Sequence, residues 1–184
     1  MADIGSVRTF RNGHRVTLVD RGVDEQGAYL RLEHVMPSTG RQAGPHWHPE
    51  LAETWAIRAG TMRFRIDGVE IVAGPGQTVT APPRAVHEFW NEAPDTVLDH
   101  VIRPPLRHWE MFDFWTGLDN AHRTTAGRVP RNPLALALLW EYQDGYLAGP
   151  PVLLQRLMFG GLARLARRTG YARRLIASFS GTPE

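Results

Sequence analysis

Seven short segments rich in β-branched, aliphatic and aromatic residues crowd the first hundred positions, at 14–20, 28–36, 54–58, 61–66, 77–81, 87–90 and 96–103, with glycine or proline at every junction. Strands this short at this spacing predict an antiparallel sandwich or barrel. Two of the segments alternate cleanly: Leu30, Leu32, His34 and Met36 share one face against Tyr29, Arg31 and Glu33, and Leu98, His100 and Ile102 oppose Asp99 and Arg103. Side chains two apart on a strand point the same way, so the apolar sets should face inward. Each set carries one histidine, His34 or His100, into that interior.

From Asn132 the period changes. Asn132-Pro133 reads as an N-cap and a first-turn proline, and Leu134, Leu136, Leu138, Leu139 and Tyr142 then run at helical density to Gly145 or Gly149. After Gly149-Pro150-Pro151 a second helix is expected. It would carry Leu154, Leu157, Met158, Leu162 and Leu165 on one face and Arg156, Arg164, Arg167 and Arg168 on the other, with Gly170 closing it. The stretch 104–131 is aromatic-rich (Trp109, Phe112, Phe114, Trp115) without a clean period, and reads as a packed connection. The chain thus divides into a β unit over 1–105, a connection over 106–131 and an amphipathic helical tail over 132–184.

Composition removes whole classes of chemistry. All 21 basic residues are arginine, so there is no lysine for a Schiff base, a lysine general base or pyridoxal phosphate attachment. With no cysteine there is no disulfide, thiolate nucleophile, Fe–S cluster or cysteine-ligated zinc. The longest apolar runs fall far short of a bilayer span and the amino terminus lacks a signal-peptide pattern, so a cytoplasmic location is the expectation. Positive charge gathers in the tail: 152–184 holds six arginines and one acid, +5, against fifteen arginines and eighteen acids elsewhere, −3.

The histidines carry the chemistry. His46 and His48 are two apart, so on a strand both imidazoles leave the same face and can meet one ion. Glu53 has the wrong parity for an unbroken strand, and Pro49 is placed to supply the break that returns its carboxylate to that side. Glu50 is the rival carboxylate and reads as solvent-facing. His87 would arrive through tertiary folding from a later strand. Three imidazoles and one carboxylate suit Fe(II), Mn, Ni, Zn or Cu, and in six-coordinate geometry leave two positions open.

The spacing of these residues resembles the two motifs of the cupin superfamily. Gly40, His46, His48, Glu53 and Gly60 match the first, and Gly76, Pro82, His87 and Asn91 match the second, so nine of ten fixed positions agree. The departure is Arg84, which stands where the second motif has glycine and where a turn would be reshaped. Arg84 reads either as an exposed loop arginine or as a partner for an anionic substrate.

The resemblance implies a mainly β fold, a cupin jelly-roll barrel with the metal inside and the helical extension behind it. Alternation from the ligands then assigns a pocket lined by Trp55, Ile57, Met62, Phe64 and Phe89, with Trp47 on the opposite face. His34 and His100 are either buried histidines satisfied by backbone carbonyls or acid/base residues near the metal. Three functions fit: a dioxygenase-type enzyme acting on a small enolisable or aromatic substrate, a redox-neutral Zn- or Ni-dependent cyclase, isomerase or lyase, or a non-catalytic small-molecule binding module. A homodimer is expected, with the tail packed on the barrel or on the second subunit. Peripheral membrane contact through the basic helix is the less favoured reading, and nothing points to nucleic acid.

Overall fold

The computed structural model describes residues 3–179. Ten strands come first: β1 (Val7–Thr9), β2 (Arg15–Asp24), β3 (Gly27–Met36), β4 (Gly40–Trp47), β5 (Ala52–Ala59), β6 (Met62–Ile66), β7 (Val69–Ala73), β8 (Thr78–Ala81), β9 (His87–Asn91) and β10 (Thr96–Arg103). Helices α1 (His108–Asn120) and α2 (Pro133–Gln143), the short strand β11 (Tyr146–Leu147), and helices α3 (Val152–Arg168) and α4 (Tyr171–Ala177) follow.

The strands form two antiparallel sheets, ordered β1-β2-β3-β10-β5-β8 and β11-β4-β9-β6-β7. Among the described residues no ladder joins them, so the expected barrel is an open jelly roll of two facing sheets. Their inner faces meet over Met36, Trp55, Ile57, Met62, Phe64 and Leu98. A second cluster joins Phe10, Leu18, Leu32 and Ile102 to the helices through Phe112, Leu118, Leu138 and Leu139.

Four strands lie outside the seven expected segments, β1, β4, β7 and β11, and for β4 and β7 the reason is visible. β4 contains Gly44 and Pro45, and its pairing with β9 slips twice, so no clean alternation survives in the sequence. β7 is a largely exposed edge strand that pairs with β6 through a two-residue turn at Asp67-Gly68, both at positive φ, 48° and 84°. Gly60 turns β5 into β6 at φ 82°, and a Cβ there would lie 2.8 Å from the Thr96 Cα, so both backbone conformation and space require glycine.

The 104–131 connection is built around α1. That helix buries His108, Trp109, Met111, Phe112, Phe114 and Leu118, which lie all round it, and a helix covered on several sides shows no amphipathic period. α2 begins as expected, with the Asn132 side chain accepting from the Leu134 and Ala135 amides at 2.8 and 3.4 Å. It stops at Gln143, and Asp144 takes a left-handed conformation (φ 49°). No described helix is long and apolar enough to cross a membrane.

The leucine stripe of α3 is not the face the helix buries. Gln155, Ala163 and Ala166 are buried, with Phe159 and Leu162 packed against the core, while Leu153, Leu154, Leu157, Met158 and Leu165 are exposed. Gln155 anchors the turn of the helix by donating to the Leu147 and Pro150 carbonyls and accepting from the Leu147 amide.

Candidate metal centre

His46, His48, Glu53 and His87 are all buried and offer one ligand atom each, all within 4.8 Å of one another. The two sheets bring them together. His46 on β4 is the register partner of His87 on β9 in one sheet. Glu53 sits on β5 in the other, between Ile102 and Ala81. The break at Pro49 therefore does more than correct parity, because the chain leaves one sheet after Trp47 and enters the facing one at Ala52. Glu50 is exposed in this crossing.

Each ligand histidine has its tautomer fixed from behind. A backbone carbonyl only accepts, so a ring nitrogen bonded to one must carry the hydrogen. His46 Nδ1 donates to the Gly44 oxygen at 2.7 Å, His87 Nδ1 to the Ala85 oxygen at 2.9 Å, and His48 Nδ1 to the Asp144 oxygen at 3.3 Å. All three rings thus turn Nε2 toward the centre, the arrangement that metal-bound imidazoles require. His48 Nε2 is buried without a hydrogen-bond partner, 3.3 Å from Glu53 Oε2, while His87 Nε2 lies 2.8 Å from the same oxygen. A cation among these atoms would satisfy the orphaned nitrogen and the carboxylate together, so the residues fit a divalent transition metal.

Electrostatics agree with the geometry. Burial pushes the Glu53 carboxyl up, but the close imidazoles of His100, His48 and His87 outweigh it and hold the group well below the usual carboxylate range. Burial pulls His87 down, and its contact with Glu53 more than reverses this. His46 is lowered to about 3 by burial, with His87 and His48 adding to the effect. The centre thus keeps an ionised carboxylate among imidazoles, and a cation bound there would displace the proton that Glu53 favours on His87.

A cavity of about 280 Å³ opens from the centre, with His46 and Glu53 in its wall. Of the pocket residues expected from sequence, Trp55, Met62 and Phe89 line it, whereas Ile57 and Phe64 lie in the core between the sheets and do not reach it. His34 and His100 both line it. Neither is satisfied by a backbone carbonyl among the described contacts. His34 bonds to His14 and His100, and His100 Nε2 lies 3.0 Å from Glu53 Oε1. Trp47 points away from the cavity and stacks on Tyr146, ring centroids 4.9 Å apart.

Much of the remaining wall comes from residues with no sequence signal of function. The helices supply His108, Met111, Phe112, Trp115, Leu139 and Trp140, and the segment between α1 and α2 supplies Arg128. His108 is lowered to about 3 by burial; its Nδ1 has no partner and its Nε2 lies 3.8 Å from Glu53 Oε1. Arg128 donates to His14 Nδ1 at 3.0 Å and to Gln42 Oε1 at 2.9 Å. Arg84 is elsewhere, in a shallow depression with Trp47, Pro49, Val86 and Arg156. It keeps the left-handed φ of the glycine it replaces, 69°, and its amide donates to the His48 oxygen at 2.7 Å, so the turn is retained.

Residues 32–100 match the family model of the cupin domain, Cupin_2. No curated protein matches the chain. Among solved structures it is similar to KdgF from a Halomonas species (17% identity, 54% of this chain and 86% of that one, TM-score 0.45). It is also similar to a Streptomyces nucleoside dehydratase (14%, 56% and 81%, TM-score 0.43) and to a Klebsiella pneumoniae protein with a double-stranded β-helix domain (20%, 56% and 89%, TM-score 0.43). The motif positions, the matched segment 32–100 and the two-sheet fold agree, so this part of the chain is a cupin domain, and a helical C-terminal segment follows it.

Proposed function

We propose that the protein is a metal-dependent enzyme of dioxygenase type that acts on a small enolisable or aromatic substrate. The observation that carries this reading is the convergence of three tautomer-fixed Nε2 atoms and one carboxylate at the wall of an apolar cavity. A bound divalent transition metal supplies Lewis acidity and, when redox-active, electrons for dioxygen chemistry. The chain's own residues do the rest. Trp55, Met62, Phe89, Phe112 and Trp115 hold a flat apolar substrate and exclude water, and Gln42 and Arg128 offer it polar contacts.

A second reading rests on His108. A buried, neutral imidazole with an unpartnered Nδ1 in the cavity wall is placed to take or return a proton, which redox-neutral cyclase, isomerase or lyase chemistry needs. The two readings part in one experiment: elemental analysis of protein purified without added metal or chelator, with oxygen uptake measured against enols, diketones and catechols. One equivalent of iron with substrate-dependent oxygen consumption supports the dioxygenase. Zinc or nickel without uptake transfers the proposal to redox-neutral chemistry, and a His87→Ala protein that still holds one metal overturns the centre.

A further inference from the structure

A file of three buried histidines runs from Arg128 to the candidate metal ligand Glu53, and its hydrogen bonds permit one direction only. Arg128 Nη1 lies 3.0 Å from His14 Nδ1. His14 Nε2 lies 3.0 Å from His34 Nδ1, and His34 Nε2 lies 3.4 Å from His100 Nδ1. His100 Nε2 then faces Glu53 Oε1 at 3.0 Å, a close contact though not a well-aligned hydrogen bond.

A guanidinium can only donate, so His14 Nδ1 must present its lone pair and the ring hydrogen must sit on Nε2. That hydrogen makes His34 Nδ1 an acceptor and places the His34 hydrogen on Nε2. The same step repeats at His100, whose N–H then points at the carboxylate. Starting from the other end gives the same answer, because an ionised carboxylate only accepts. The fixed positive charge and the fixed negative charge thus impose one tautomer on all three rings, and aligned bonds of this kind polarise one another. Burial favours the neutral form at His14 and His34.

We propose that Arg128 is a positioning residue for the metal centre, acting through His14, His34 and His100 to tie Glu53 Oε1 and so turn Oε2 to His48 and His87. This rests on the metal-binding reading above and goes beyond it, because it assigns a role to a residue in the segment after α1 that lies outside the cupin motifs. Arg128 holds its own place through Gln42 and by stacking over Phe10 and Trp115, 4.9 and 5.5 Å from the ring centroids.

The test uses zinc-loaded, 15N-histidine-labelled protein and long-range 1H–15N correlation spectra, which distinguish the two neutral tautomers ring by ring. His14, His34 and His100 should all appear as the Nε2–H form. Arg128→Met keeps the apolar stem and removes the donor. It should shift the signals of all three rings and weaken zinc about tenfold in competition with a chromophoric chelator, the lower end of what loss of support behind metal ligands costs. Arg128→Lys, again a pure donor, should restore most of both. An Nδ1–H form at any of the three rings in the unmutated protein overturns the proposal without recourse to variants, as does an Arg128→Met protein with unchanged ring signals and zinc affinity. A protein that takes up no zinc defeats the metal-binding reading and with it the positioning role, even where the three rings keep the Nε2–H form.

Discussion

Arg84 shows how one residue can depart from a family pattern without disturbing the site. A side chain at φ 69° crowds its own backbone, which glycine avoids at a gain of about 1 kcal/mol. What the turn contributes to the centre is the amide bonded to the His48 oxygen, and any residue supplies that. Arg84→Gly should therefore raise stability in urea by about 1 kcal/mol and leave metal affinity unchanged; lower stability would show that the guanidinium matters. His14 makes the opposite case, a buried group whose cost depends on pH. Burial, helped by the Arg128 charge, lowers it to about 3 from an ordinary 6.5. Below 6.5 the unfolded chain takes up a proton that the folded chain refuses, so stability falls with pH until about 3. Between pH 6.5 and 5 this one ring should cost about 2 kcal/mol, at about 1.4 kcal/mol per unit. Urea midpoints at the two pH values, compared with those of His14→Gln, should show the variant losing less.

The centre also depends on a turn between elements. Where α2 ends, Asp144 holds the His48 Nδ1 hydrogen, and Gly145 packs so closely that a Cβ would lie 3.1 Å from His48 Cε1. Gly145→Val should tilt that ring and weaken metal about tenfold, by the usual cost of disturbing the groups behind a ligand, with the circular dichroism of the sheets intact. Equal affinity would mean that the ring is held from elsewhere. Nothing in the sequence pointed to this contact, and the reason is distance along the chain. His46, His48 and Glu53 fall within eight positions, and His87 stands at a motif spacing from Gly76 and Pro82, so local pattern was enough to find them. His14 and Arg128 are 114 residues apart, His48 and Asp144 are 96 apart, and folding alone brings such pairs together. The strands were readable where alternation survived, as in β3 and β10, and hidden where Pro45 and the slipped register of β4 erased it. α1 was hidden because its burial is too complete to leave a period, and His108, at its first turn, was hidden with it.

At the scale of the whole molecule, the ligands belong to different layers: Glu53 to one sheet, His46 and His87 to the other. An ion binding the folded arrangement and not the unfolded chain stabilises by mass action, by about 2.7 kcal/mol at a hundredfold excess over Kd. Chelation should accordingly lower the unfolding temperature, and the His46→Ala protein should show no such response. Two leaves joined by one rivet cannot part while the rivet holds. An ion in this position would hold the two layers against opening, so the inner amides of β5 and β9 should exchange their hydrogens more slowly in the metal-loaded protein than after chelation.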